Sequence, residues 1–214
     1  IGFNQRFAPA IQALKKYLDS QSVKPTIINL SMSCVNFLDQ RMGKPEQGGG
    51  ILPSLVCHAL DLLRFITDDE IESVSCLADR LRLGEGYMED GGAVICRLRS
   101  GIIASAIFHD HSHPSYVMDP MKDMVRLEMH TGTKSIVSYA HDKLTICDQA
   151  GVRTEQFGPY DQLYSWGYKE INKQFIEALK AGVKPVPNED DGIKSILLVD
   201  AARKSMETGK LIKM

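Results

Sequence analysis

The order of its periodic segments constrains this chain most. A helix and a strand come first, then a second helix, then a run of short strands, and finally two helices. In Pro9–Asp19, Ile11, Leu14 and Leu18 recur at helical spacing. Thr26–Val35 is β-branched and apolar and reads as a strand. Leu52–Ile66 is the strongest helix, with Pro53 in its first turn, where a missing N–H costs nothing. After Asp68 and Asp69 the period changes to two. Strands are predicted over Ile71–Arg82, Ala93–Leu98, Ile102–Asp110, Val125–Met129, Ser135–Tyr139, Leu144–Asp148 and Val152–Gln156. Ser100-Gly101, Gly132 and Gly151 mark tight turns between neighbours. Helical spacing returns in Tyr168–Ala181, through Ile171, Phe175, Ala178 and Leu179. It returns again in Asp191–Glu207, through Ile193, Ile196, Leu197 and Ala201. Glu189, Asp190 and Asp191 stand at the start of that last helix, where the helix dipole favours negative charge.

This order predicts an α+β fold: one open, mostly antiparallel sheet with helices packed on one face, a single domain over residues 1–214. The strand–helix alternation of a dinucleotide-binding unit is missing. Gly84-Glu85-Gly86 runs on into Tyr87-Met88-Glu89 without a third glycine, so no cofactor-binding residue is assigned. The strand Ile102–Asp110 is apolar on both faces, since Ile103 and Ile107 alternate with Ala104, Ala106 and Phe108. A face of that kind needs a partner, and a homodimer or tetramer through the open sheet is expected.

Lysine and arginine number 25 against 27 acidic residues, which gives no electrostatic reason to expect nucleic acid or a membrane surface as partner. The longest apolar stretch, Ile51–Ile66, is broken by Pro53, Ser54, His58, Asp61 and Arg64 and cannot be a bilayer span. The five cysteines are scattered, with no close pair, and suit free thiols in a reducing, cytoplasmic setting. No secretory signal pattern is visible, and the opening at Ile1 leads us to expect further residues upstream.

Chemistry concentrates in Gly48-Gly49-Gly50-Ile51-Leu52-Pro53-Ser54-Leu55-Val56-Cys57-His58. Ser54 and His58 are four apart and share one face of a largely apolar helix. Either His58 is a core histidine bonded to a nearby carbonyl, or it is a proton-transfer group facing a pocket. The His109-Asp110-His111-Ser112-His113 run would place three histidines on one face of a strand. Same-face positions lie roughly 7 Å apart, too far for three to close on one ion, so no metal is expected. His113 instead reads as part of a polar pocket rim. Tyr160, Tyr164 and Trp166 form an aromatic-rich segment that suits either a sugar face or a covered sheet edge.

The Gly-Gly-Gly, histidine and Leu60-Asp61-Leu62-Leu63 pattern resembles the Gfo/Idh/MocA oxidoreductases. Other segments resemble that family in the same order: Gly2-Phe3-Asn4-Gln5-Arg6-Phe7, Val23-Lys24-Pro25, Glu170 to Ala178, Asp190-Asp191-Gly192, and Ala201 through Gly209-Lys210. The resemblance spans essentially all 214 residues. It implies the C-terminal, substrate-binding half of an NAD- or NADP-dependent dehydrogenase acting on a sugar, cyclitol or similar small polyhydroxylated molecule. His58 would be the catalytic proton relay, with Arg6, Ser54, His113 and Trp166 around the substrate. The cofactor would belong to the complete protein, and none is expected on this part alone. Many members carry Asp where this chain has Ser54, which leaves a non-catalytic ligand-sensing or assembly module as the alternative.

Overall fold

A computed structural model describes residues 2–21, 24–34, 42–110, 124–159 and 161–214. Asn4–Phe7 form a 3₁₀ turn, followed by α1 (Pro9–Gln21) and β1 (Ile27–Ser33). A helix then runs from Leu52 to Thr67: its first turn, Leu52–Val56, is π-wound, and α2 continues as Cys57–Thr67. The strands follow: β2 (Ile71–Asp79), β3 (Gly91–Leu98), β4 (Ile103–His109), β5 (Val125–His130), β6 (Ser135–Tyr139), β7 (Lys143–Asp148) and β8 (Gly151–Gln156). Last come α3 (Gln162–Ser165), α4 (Tyr168–Ala181), α5 (Glu189–Thr208) and a two-residue β9 (Ile212–Lys213).

The nine strands form one sheet in the order β8-β7-β6-β5-β1-β4-β3-β2-β9. Every pairing is antiparallel except β1 with β4, which run side by side in the same direction. The predicted α+β class is therefore the observed one, with one parallel pair that strand patterns do not reveal. That pair places the carboxyl ends of β1 and β4 together, with Ser33 opposite His109.

Alternation along the strands sends one set of side chains to the helices. Val74, Cys96, Ala104, Ile28, Met129, Ile136 and Ile146 lie in one register row across the sheet, and all are buried. Leu60, Leu62, Leu63 and Ile66 of α2 and Ile11 and Leu14 of α1 join the same cluster. Burying each large apolar residue of this kind contributes about 1.5–3 kcal/mol. On the opposite face Leu77, Ile95, Ile107 and Ile27 are exposed, and among the described residues no helix covers them.

The last helix departs from its apolar pattern. Ile193, Ile196 and Leu197 turn outward, whereas Gly192, Ser195, Leu198, Ala202 and Ser205 are buried. Small residues let this helix approach β2 closely enough for the Cys76 N–H to donate to Ser205 Oγ at 3.0 Å. The exposed apolar side chains are thus the surplus of a helix that packs through its small ones. In α4 no side chain is buried at all.

Candidate functional site

One end of the sheet gathers most of the residues singled out above. The carboxyl ends of β1 and β4 lie there, joined by the Cys34 N–H donating to the His109 C=O at 3.0 Å. The turn after β6 carries His141, and Ala140 N–H closes on Val125 C=O at the start of β5. The segment before β3 supplies Glu89, whose C=O accepts the Ile51 N–H at 3.2 Å. The helix bearing Ser54 and His58 therefore begins at this end. Gly50, at φ +93°, presses so closely on Met88 and Glu89 that a Cβ there would lie 2.6 Å from Met88 Cβ.

His58 is largely buried. Its Nδ1 is cut off from solvent and has no hydrogen-bond partner among the described residues. Phe3 meets the imidazole edge-on, at 5.6 Å between ring centroids. Burial pushes the His58 pKa below its ordinary value, so the ring is neutral at pH 7. An orphaned ring nitrogen on a neutral histidine carries a desolvation cost, which a hydrogen-bonding group would relieve once the imidazole turned that nitrogen toward it. Ser54, one turn earlier, donates its hydroxyl proton to the Gly50 C=O at 2.7 Å.

Arg6 sits beneath this helix and is 6% exposed. Its Nε donates to Asp61 Oδ2 at 2.8 Å, and its Nη2 donates to Asp61 Oδ1 and, at 2.8 Å, to Asp191 Oδ1. Asp191 also belongs to the capping box of α5, where its carboxylate accepts the Asn188 N–H at 2.9 Å. Arg6 thus ties the 3₁₀ turn, α2 and the start of α5 together. Next to it, Arg64 grips Glu70 through two nitrogens, and Lys194 reaches the same carboxylate at 2.6 Å. Arg64, ahead of Lys194, holds the Glu70 carboxyl well below its usual range, at about 2.

Trp166 stacks on His141 at 4.5 Å with ring planes 9° apart, and less closely on Tyr168 at 6.2 Å. His141 is buried, and its Nε2 lies 3.0 Å from Gln5 Oε1. The Trp166 C=O accepts a hydrogen bond from Asn4 Nδ2 at 2.9 Å. The structure therefore brings His58, Arg6 and Trp166 to one end of the sheet through the Phe3–Phe7 turn. His113 and Tyr160 lie outside the described residues.

Sequence reasoning passed over Glu89, Arg203, His141 and Gln5. No spacing rule links residue 5 with 141, or 89 with 203, because each pair meets only through the sheet. Asp191 carried a signal in the Asp190-Asp191-Gly192 stretch, but only as a helix start. No helix among the described residues is long and apolar enough to cross a membrane.

Comparison with known proteins places this geometry in a wider group. The chain is 26% identical over 222 residues to the myo-inositol 2-dehydrogenase of Thermotoga maritima, covering 100% of this chain and 63% of that protein. It is 26% identical over 227 residues to the inositol 2-dehydrogenase of Rhizobium meliloti, covering 100% of this chain and 64% of that one. Its fold superposes on levoglucosan dehydrogenase, solved with NADH and levoglucosan, with a TM-score of 0.84 at 20% identity. That match covers 100% of this chain and 65% of the other. The chain therefore spans slightly less than two thirds of the length of each of these relatives. The family model for the GFO/IDH/MocA C-terminal domain matches residues 11–137, and the chain belongs to that family.

Proposed function

We propose that this chain is the substrate-binding and assembly domain of an NAD(P)-dependent oxidoreductase that acts on a sugar, cyclitol or similar polyol. One observation carries the reading: His58, neutral and largely buried, holds an unpartnered Nδ1 on the helix that follows the Gly-Gly-Gly turn. Removing hydride from an alcohol carbon requires the oxygen to lose its proton, and a neutral imidazole positioned beside that oxygen accepts it. In the reverse direction the imidazolium returns the proton. The nicotinamide supplies or accepts the hydride when it is bound to the complete protein.

In this reading Phe3 packs the imidazole edge and limits its rotation. Arg6 reaches the site through Asp61 and Asp191, which already occupy its Nε and Nη2. Trp166, stacked on His141, offers its remaining surface to the substrate. The inositol and levoglucosan dehydrogenases among the relatives support a polyhydroxylated substrate. The apolar side chains Leu77, Ile95 and Ile107 on the uncovered sheet face support a homodimer or tetramer built through it.

The test is a cofactor-coupled screen of the complete protein, with NAD and NADP against myo-inositol, levoglucosan and common aldoses. Turnover of one polyol that is lost in His58→Ala supports the proposal; no turnover on any of them sinks it. A clean monomer by light scattering at micromolar concentration would remove the assembly role. A second reading, a non-catalytic ligand-sensing module, is favoured by Ser54, whose hydroxyl proton is given to the Gly50 C=O. Polyol binding without cofactor turnover would select it.

A further inference from the structure

The helix that carries His58 does not begin on a cap of its own: no side chain from the preceding turn caps it, and Pro53 occupies its first turn. Its opening backbone amides are met instead from across the fold, by Glu89. The Glu89 carboxylate Oε1 accepts the Leu52 N–H at 3.3 Å, and the Glu89 backbone carbonyl accepts the Ile51 N–H at 3.2 Å. The same Oε1 lies 3.5 Å from Arg203 Nη2 of α5, which in turn donates to the Gly49 C=O at 2.7 Å. Glu89 is 4% exposed: its Oε1 serves this junction, and its Oε2 is buried with no hydrogen-bond partner among the described residues. A carboxylate at a helix start is favoured by the helix dipole and by Arg203, while its burial works the other way and pushes the Glu89 carboxyl above its ordinary value.

Two distant parts of the sequence, the segment before β3 and α5, therefore converge on the Gly49–Leu52 backbone. Gly50 has no room for a Cβ because Glu89 Oε1 would lie 2.7 Å from it. The π-wound turn that follows sets the height and rotation at which α2 presents His58. We propose that Glu89, held by Arg203, is a positioning residue that fixes the start of the His58 helix and thereby the placement of the imidazole. Glu89 acts through the helix and not on substrate. The inference rests on reading His58 as the proton relay, yet one of its readouts is independent of turnover.

The experiment uses the complete protein carrying Glu89→Ala or Glu89→Gln, with Arg203→Met as a further variant. Two quantities are measured: kcat and KM with NAD and myo-inositol, and the rate of His58 carbethoxylation by diethyl pyrocarbonate, followed by mass spectrometry. Glu89→Ala should lower kcat about tenfold with KM little changed, since small misplacements of a reacting group cost this much or more. His58 should react several-fold faster in that variant. Glu89→Gln keeps an acceptor for the Leu52 N–H and should restore both quantities to within about threefold of the unaltered protein. A role confined to stability would lower the melting temperature and leave His58 reactivity and kcat of the folded protein unchanged.

Unaltered His58 reactivity in Glu89→Ala overturns the proposal, whatever its melting temperature. So does a Glu89→Gln protein no better than Glu89→Ala. If Glu89→Ala does not fold, Arg203→Met decides by the same two readouts, with changes in the same direction expected. Altered His58 reactivity in a protein that turns over no polyol would uphold the positioning role and defeat the dehydrogenase reading.

Discussion

The Nε of Arg6 donates to Oδ2 of Asp61 at 2.8 Å, and Asp61 stands one turn beyond His58 on the same helix. The 3₁₀ turn at residues 4–7 is thereby locked to the helix that carries the proposed proton relay. With Asp191 as its second partner, the guanidinium is bound by two carboxylates in a site almost closed to solvent. Breaking a buried pair leaves a charge without compensation, at a cost of about 3–5 kcal/mol. Arg6→Ala should therefore lower the unfolding free energy by that amount in denaturant melts. Arg6→Lys should recover only part of it, since one ammonium cannot make the same fork. A loss below about 1 kcal/mol in Arg6→Ala, with KM for the polyol raised, would make Arg6 a substrate contact instead.

His58→Ala removes the proposed proton acceptor but little of the core. We expect kcat to fall about 10²–10⁴-fold with the melting temperature nearly unchanged. Because burial holds the His58 pKa below 6.5, the acid limb of kcat/KM should lie below the ordinary histidine range. An acid limb at or above 6.5 would show the ring to be more exposed in the working enzyme.

Gly167 opens α4 with φ +78°, and a Cβ there would lie 2.3 Å from the Asn4 C=O oxygen and 2.7 Å from the Phe7 carbonyl carbon. Both obstacles are backbone and cannot swing aside. Gly167→Ala should cost about 3 kcal/mol or more from strain and overlap together. It should also alter Trp166 fluorescence, because Trp166 adjoins it and is the single tryptophan of the sequence.

Glu70 is held by Arg64 and then Lys194, which bring its pKa from 4.5 down to about 2. The folded state therefore prefers the ionised form more than the unfolded chain does. That contribution is complete above about pH 4.5 and drains away as pH falls toward 2. Glu70→Gln should lower stability at pH 7 and flatten the stability profile between those two values. An unchanged acid profile would mean that the ion pair is screened to insignificance.

Much of the fold was legible in the sequence because burial alternates along each strand. The predicted bounds of β6 and α4 coincide with those observed, since Ser135–Tyr139 and Tyr168–Ala181 sit between clear breaks. The parallel pairing of β1 with β4 was not legible: direction depends on how the backbone returns, and side-chain periodicity is the same either way. The inward face of α5 was missed because its small residues score as weakly apolar, while the larger Ile193, Ile196 and Leu197 point out. Spacing from Ser54 singled out His58 but left it open between a core histidine and a proton-transfer group, and the proposed role came from the family resemblance. Glu89 and Arg203 were not singled out, because their role exists only where three distant stretches cross.

The absence of any buried side chain in α4 has a consequence of its own. A helix of 14 residues is near the lower limit for holding its shape in water unaided, and this one buries none of its side chains. Its order is therefore conditional on whatever leans against Phe175, Ile176 and Leu179. Left bare, its amides should open and reclose with almost no free-energy cost and exchange with solvent long before those of β3 or β4. Covered, they should become among the slower ones. In the complete protein, α4 would act as a gauge of whether its neighbours are in place.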